Sequence, residues 1–163
     1  KTEQVHTTLA KQLALYVTMY SPLQMAADLP EIYEQHLDAF QFIKDVAVDW
    51  DDTQYLEAEP GDYLSIARKA KGSSDWFLGA ITDENGRKAI LPLTFLDKNQ
   101  TYVATVYADA ADAHWQLNPQ AYKITSTLVT RENVMNIYLA AGGGAAVRFK
   151  VATAEEKRTL KKY

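Results

Sequence analysis

Near residue 49 the hydrophobic period of this chain changes from that of a helix to that of a strand, and this limits the fold more than any other feature. Leu64 and Ile66 alternate with Ser65 and Ala67, and Tyr122, Ile124 and Leu128 alternate with Lys123, Thr125 and Thr127. Period two sends successive side chains to opposite faces of a strand. Eight segments have this character: 53–59, 62–70, 75–83, 87–93, 101–109, 120–129, 134–140 and 145–152. Pro60-Gly61-Asp62, Gly72-Ser73-Ser74-Asp75 and Asn85-Gly86 separate them. Asn-Gly supplies the positive φ angles of a two-residue hairpin, so Asn85-Gly86 is expected to close one. Gly142-Gly143-Gly144 predicts a tight or irregular turn. Eight short strands at this spacing predict an antiparallel sandwich. Trp76-Phe77-Leu78-Gly79-Ala80-Ile81 is apolar on both sides, which predicts a strand buried on both faces. Thr153 and Glu156 form a capping-box pattern and predict a short helix over 154–162.

Before residue 49 the pattern is helical. Val5, Leu9, Leu13, Tyr16, Val17 and Tyr20 recur at three- and four-residue spacing, while Leu15 and Met19 are apolar on another side. A helix apolar on more than one side is buried by two neighbours, so residues 1–48 are expected to dock on the sandwich and on a partner upstream. Ser21-Pro22 ends this helix. The run Leu23-Gln24-Met25-Ala26-Ala27 reads as a buried strand closed by Asp28-Leu29-Pro30. Pro30 opens a helix or helix pair running to about Val46. Helix, strand, helix is the repeating unit of an α/β barrel.

The chain has 163 residues with a net charge of -4 and no long basic run, which argues against a nucleic-acid partner. It has no cysteine, which excludes disulfides, thiolate metal sites and a Cys nucleophile. No apolar run is long enough to span a bilayer. The chain opens on Lys1 with no leader pattern, so a signal peptide would lie upstream.

No self-contained catalytic constellation is visible. His6, His36 and His114 lack metal-ligand spacing and read as surface or packing residues. Gly142-Gly143-Gly144 is no phosphate loop, because no Lys-Ser/Thr follows it. Asp49, Asp51 and Asp52 surround Trp50, as a cation or sugar site or as a solvated connection between domains. Glu57 and Glu59 suit an exposed strand face. Asp109 and Asp112 flank a loop leading to Trp115, either as turn formers or beside a sugar site. Asp28 ends the 23–27 segment, the end that faces the active site in a barrel. It is either a pocket-lining carboxylate or a cap for the helix at Pro30. Met25 either lines the barrel mouth against an apolar sugar face or packs in the core.

Two stretches carry a family resemblance. Thr7-Thr8-Leu9-Ala10-Lys11-Gln12-Leu13-Ala14-Leu15-Tyr16-Val17 with Tyr20-Ser21-Pro22-Leu23-Gln24-Met25-Ala26-Ala27-Asp28-Leu29 resembles the last helix and strand of the barrel in glycoside hydrolase family 97. Phe42-Ile43-Lys44-Asp45-Val46, Asp49-Trp50-Asp51, Ala58-Glu59-Pro60-Gly61-Asp62-Tyr63, Ala67-Arg68-Lys69 and Trp76-Phe77-Leu78-Gly79-Ala80, followed by Asn118-Pro119 and Ala141-Gly142-Gly143-Gly144-Ala145, are similar to its barrel exit and C-terminal sandwich. The resemblance implies an α-glucosidase or α-galactosidase parent, acidic catalysts, and a calcium ion that binds and polarises substrate. Those residues would lie upstream of Lys1, so no catalytic or metal-ligating role passes to a residue here. Only Met25 and Asp28 are candidates for lining the substrate pocket.

The resulting expectation is a mainly β chain. An antiparallel β-sandwich over 49–163 follows, over 1–48, the last helix, strand and helix of a (β/α)8 barrel. The sandwich braces the barrel of an enzyme acting on α-linked oligosaccharides in the periplasm or outside the cell. The rival is a non-catalytic carbohydrate-binding sandwich in which Trp76, Trp115 or Tyr107 stacks on sugar. A third reading is a standalone interaction protein.

Overall fold

Ten residues with a five-membered buried stripe start the architecture. In a computed structural model that describes residues 5–26 and 30–163, helix α1 spans Leu9–Thr18 and buries Ala10, Leu13, Ala14, Val17 and Thr18. These positions repeat at the i, i+3, i+4, i+7 spacing of one helix face. Thr8 caps the helix by accepting from the Lys11 N–H. The helix starts four residues later than the apolar pattern suggested, and Val5, Met19 and Tyr20 are exposed.

Helix α2 (Pro30–Tyr33), a 3₁₀ turn (Glu34–His36) and helix α3 (Leu37–Asp45) follow. Eight strands then run as β1 (Trp50–Glu59), β2 (Tyr63–Ala70), β3 (Trp76–Thr82), β4 (Arg87–Pro92), β5 (Tyr102–Asp109), β6 (Tyr122–Val129), β7 (Val134–Leu139) and β8 (Gly144–Val151). Helix α4 (Glu156–Thr159) comes last. The capping box is formed: the Thr153 N–H donates to Glu156, and the Glu156 N–H donates to the Thr153 hydroxyl. The helix itself is four residues long, shorter than the predicted span.

Six strands form an antiparallel sheet in the order β1-β2-β3-β8-β5-β6, and β4 pairs with β7 in a second sheet. Alternation on β3 builds two cores. Trp76, Leu78 and Ala80 face the second sheet with Tyr102, Val147, Phe149 and Leu91. Phe77 and Ile81 face the helices with Phe42, Val17, Tyr107 and Ala146. The strand buried on both faces is therefore present, and the chain preceding residue 49 covers one side of it.

Two expectations are corrected. Asn85-Gly86 closes no two-residue hairpin, because β3 pairs with β8 while β4 crosses to the other sheet. The corner is held by Asp83, which accepts from the Asn85 N–H and side-chain amide. Nor is residue stretch 23–26 a strand; a strand exists by its ladder, and no described segment pairs with it. Its bonds are local: Ser21 Oγ donates to the Leu23 carbonyl, and the Gln24 amide donates to the carbonyls of Met19 and Ser21.

Gly79 lets α1 lie close to the sheet. A Cβ there would meet the Ala14 carbonyl oxygen at 2.6 Å and the Thr18 methyl at 2.9 Å. Gly79→Val is expected to lift α1 and cost about 1–3 kcal/mol, the usual penalty of overpacking. Urea denaturation of both proteins checks this, and an unchanged midpoint would mean that α1 is not seated as described.

Candidate functional site

The best-built polar arrangement joins the helical layer to the sandwich. Strand β5 ends its apolar run at Asp109, a buried carboxylate whose Oδ2 accepts from the N–H groups of Ala140 and Gly144, at 2.8 and 2.9 Å. This bond set holds the glycine turn, where Gly142 has φ 64° and its Cα faces the Trp115 side chain. The turn in turn receives α1. The Thr8 N–H donates to the Gly142 carbonyl, the Leu9 N–H to the Pro119 carbonyl, and Lys11 Nζ to the Thr82 carbonyl at 2.6 Å. The unpaired N–H groups of a helix start are thus satisfied by sandwich loops. Burial pushes the Asp109 carboxyl above the usual carboxylate range, against the opposing pull of the Thr8 hydroxyl, the two N–H groups and the Lys11 charge. Burial also pulls the Lys11 ammonium down, opposed by Asp83 and Asp109.

Two arginines complete the join. Arg68, buried in β2, donates from Nε to the Val17 carbonyl in the last turn of α1, at 2.8 Å. A cation there opposes the negative end of the helix dipole. Arg148 on β8 pairs with Asp45 at the end of α3 (2.7 Å) and with Asp75 before β3 (3.0 Å). A charge inside an apolar strand such as Gly144–Val151 requires a partner, so the pairing was signalled in the sequence, though its partners were not. At the start of α3, the Tyr122 hydroxyl donates to Asp38 at 2.6 Å; burial, with Asp38 beside it, pushes Tyr122 up to about 12.

The sequence-derived candidates do not converge. Met25 is 75% exposed, with its carbonyl accepting from the Tyr16 hydroxyl at 3.3 Å. Asp28 lies outside the described residues. Asp49 pairs with Lys71 and Asp51 accepts from the Gly72 N–H, so these two tie the start of β1 to the β2–β3 turn, while Asp52 accepts from Thr53 and Gln54 within β1. Glu57 is not on a free strand face: it takes a two-point contact from Arg87 and a bond from Ser65. The β1 bulge between Tyr55 and Glu57 accompanies this displacement. Asp112 accepts from the Asn118 amide within its own loop. His6 and His114 lie against Trp115, and His36 against Tyr122.

The calcium implied by the resemblance finds no ligand set here: among the described residues, no group of three or more His, Cys, Asp or Glu could hold a metal ion. Trp76 and Tyr107 are 3% and 5% exposed, so neither presents a ring face to sugar. A shallow polar cavity of about 590 Å³ beside Asp51, Asp52, Lys69, Phe95 and Asp97 reaches only part of Trp76. Among the described residues, no helix is long and apolar enough to cross a membrane.

Residues 49–150 match the family described as "Glycosyl-hydrolase 97 C-terminal, oligomerisation". A retaining alpha-galactosidase of Bacteroides thetaiotaomicron is 34% identical over 143 residues, 88% of this chain. A Glycoside Hydrolase Family 97 enzyme of Pseudoalteromonas sp. strain K8, solved with panose and with acarbose, is 46% identical over 91% of the chain with a TM-score of 0.89. A beta-arabinopyranosidase at 23% identity over 87% of the chain, with a TM-score of 0.69, shares the fold. This chain spans 21% of the curated relative and 23% of the Pseudoalteromonas enzyme. The mainly β sandwich, its alternating cores and this match agree, and the chain belongs to the C-terminal domain family of the family 97 glycoside hydrolases.

Proposed function

We propose that the full-length protein containing this chain hydrolyses α-linked galactosides or glucosides, and that the chain braces the catalytic barrel without supplying the reacting groups. The observation that carries this reading is the join itself. Helices α1 and α3 are fastened to the sandwich by Phe42, Arg68, Arg148 and the Asp109 turn, while Met19, Tyr20, Leu23, Met25 and Leu37 stay exposed beside them. Exposed apolar side chains next to a fastened layer suit docking to a further domain. In this reading residues 1–48 are the end of the (β/α)8 barrel. The acidic catalysts and the calcium belong upstream. The protein works in the periplasm or outside the cell, which fractionation of producing cells checks. The sandwich also takes part in self-association, the role its family description gives.

The test is turnover of nitrophenyl α-galactoside and α-glucoside by the full-length protein; inactivity on both would overturn the reading. Met25 refines it. Met25→Ala in the full-length protein is expected to raise KM with an unchanged melting temperature, as for a side chain at the pocket wall. A large fall in melting temperature with unchanged kinetics would make Met25 a core residue instead.

A further inference from the structure

Among the described residues, nothing covers the outer face of the second sheet, which carries three large apolar side chains. In an antiparallel pair, residues opposite one another point to the same side. Ala89, Leu91, Met135, Ile137 and Leu139 point inward and are buried. The alternate residues point outward, and Ile90 and Tyr138 are 56% exposed and Val134 44%. A solvated strand face ordinarily alternates to polar residues, yet these three are large and apolar. The six-stranded sheet, by contrast, has one side under the second sheet and the other under α1 and α3.

Charge gives this face a direction. Lys88, opposite Tyr138, is exposed at one end. Glu132, exposed in the turn that leads into Val134, lies at the other, with Arg131 half-buried beside it. A two-fold axis lying across the strands near the Ile90–Asn136 pair would set Lys88 of each copy against Glu132 of the other, with the apolar residues between them. Self-complementarity of this kind is what an isologous contact requires. The Tyr163 hydroxyl accepts from the Asn136 N–H at 2.8 Å, so that edge position of β7 is already taken and contact proceeds by the face.

We propose that the outer face of β4 and β7 binds a second copy of this chain about that two-fold axis, which rests on the self-association reading above. A standard interface takes about 800 Å² from each partner; two six-residue strands make a modest contact, so the dimer is expected to dissociate on dilution.

Sedimentation velocity of the full-length protein over a dilution series tests it. The wild type is expected to be a dimer. Ile90→Arg, which places a charge at the centre of the face, is expected to weaken association by about 30-fold or more, the scale of losing an interface anchor. At concentrations where both proteins are monomeric, melting temperature and glycoside turnover should not change. Lys88→Glu should weaken association several-fold, and adding Glu132→Lys should restore it. A wild-type dimer unaffected by Ile90→Arg would refute this face while leaving self-association standing. A wild type monomeric at every concentration would refute both. A drop in melting temperature with Ile90→Arg under those monomeric conditions would mean that the face is covered within one chain, and would equally overturn the proposal.

Discussion

Phe42→Ala is expected to destabilise the chain by about 3–5 kcal/mol, the range for removing a fully buried aromatic ring. Phe42 is 0% exposed, and its ring meets Tyr107 edge-on at 5.3 Å and Phe77 at 6.0 Å between centroids. It is the side chain by which α3 enters the sheet, so its loss opens a cavity between helix and sandwich together. Chemical denaturation followed by tryptophan fluorescence reads the change, since Trp50 packs on Phe77. A loss under about 1 kcal/mol would mean that α3 is only loosely attached, contrary to the join described above.

Asp109→Ala is expected to cost about 2–4 kcal/mol, because the Ala140 and Gly144 N–H groups lose their shared acceptor in a buried place. Asp109→Asn keeps an acceptor oxygen and should cost less. The two carboxyl states separate the variants further. Burial raises the folded-state pKa of Asp109, so its favourable contribution is complete below the unfolded-state pKa and is lost as pH rises through the raised folded value. Wild type should therefore weaken relative to Asp109→Asn as pH rises across that window. Urea denaturation of both proteins at several pH values measures the gap. A gap that stays constant or moves the other way would mean that the carboxylate is not held as a desolvated charge.

Much of the sandwich was legible because alternation survives in one dimension. All eight strands fall within about three residues of the predicted segments, and the two-sided burial of β3 follows from its unbroken apolar run. What the local pattern does not contain is which strand pairs with which. Asn85-Gly86 has the composition of a hairpin, but β3 is apolar on both faces and sits mid-sheet, while β4 alternates and suits a sheet with one solvated side. The chain therefore changes sheets at that turn. Residues 23–26 form no strand for a different reason: an apolar run alone makes no ladder, and Gln24 and Ser21 spend their side chains on local carbonyls. Asp109 looked like a turn residue because its loop position is visible in the sequence, whereas the two N–H groups it serves come from residues thirty or more positions away. Glu57 was misread likewise, since Arg87 reaches it from the other sheet.

The central claim, that this chain braces a family 97 glycosidase whose reacting groups lie elsewhere, is tested most directly by one comparison. Turnover of nitrophenyl α-galactoside and α-glucoside is measured for residues 1–163 alone and for the full-length protein under the same conditions. Two suitably placed carboxyl groups are needed for the reaction; Asp51 and Asp52 beside the polar cavity are taken up by the Gly72 N–H and by Thr53 and Gln54, and in the proposed reading the reacting carboxyl groups lie upstream. The expected result is turnover by the full-length protein and none by residues 1–163; hydrolysis by residues 1–163 that persists through independent purifications would contradict the account.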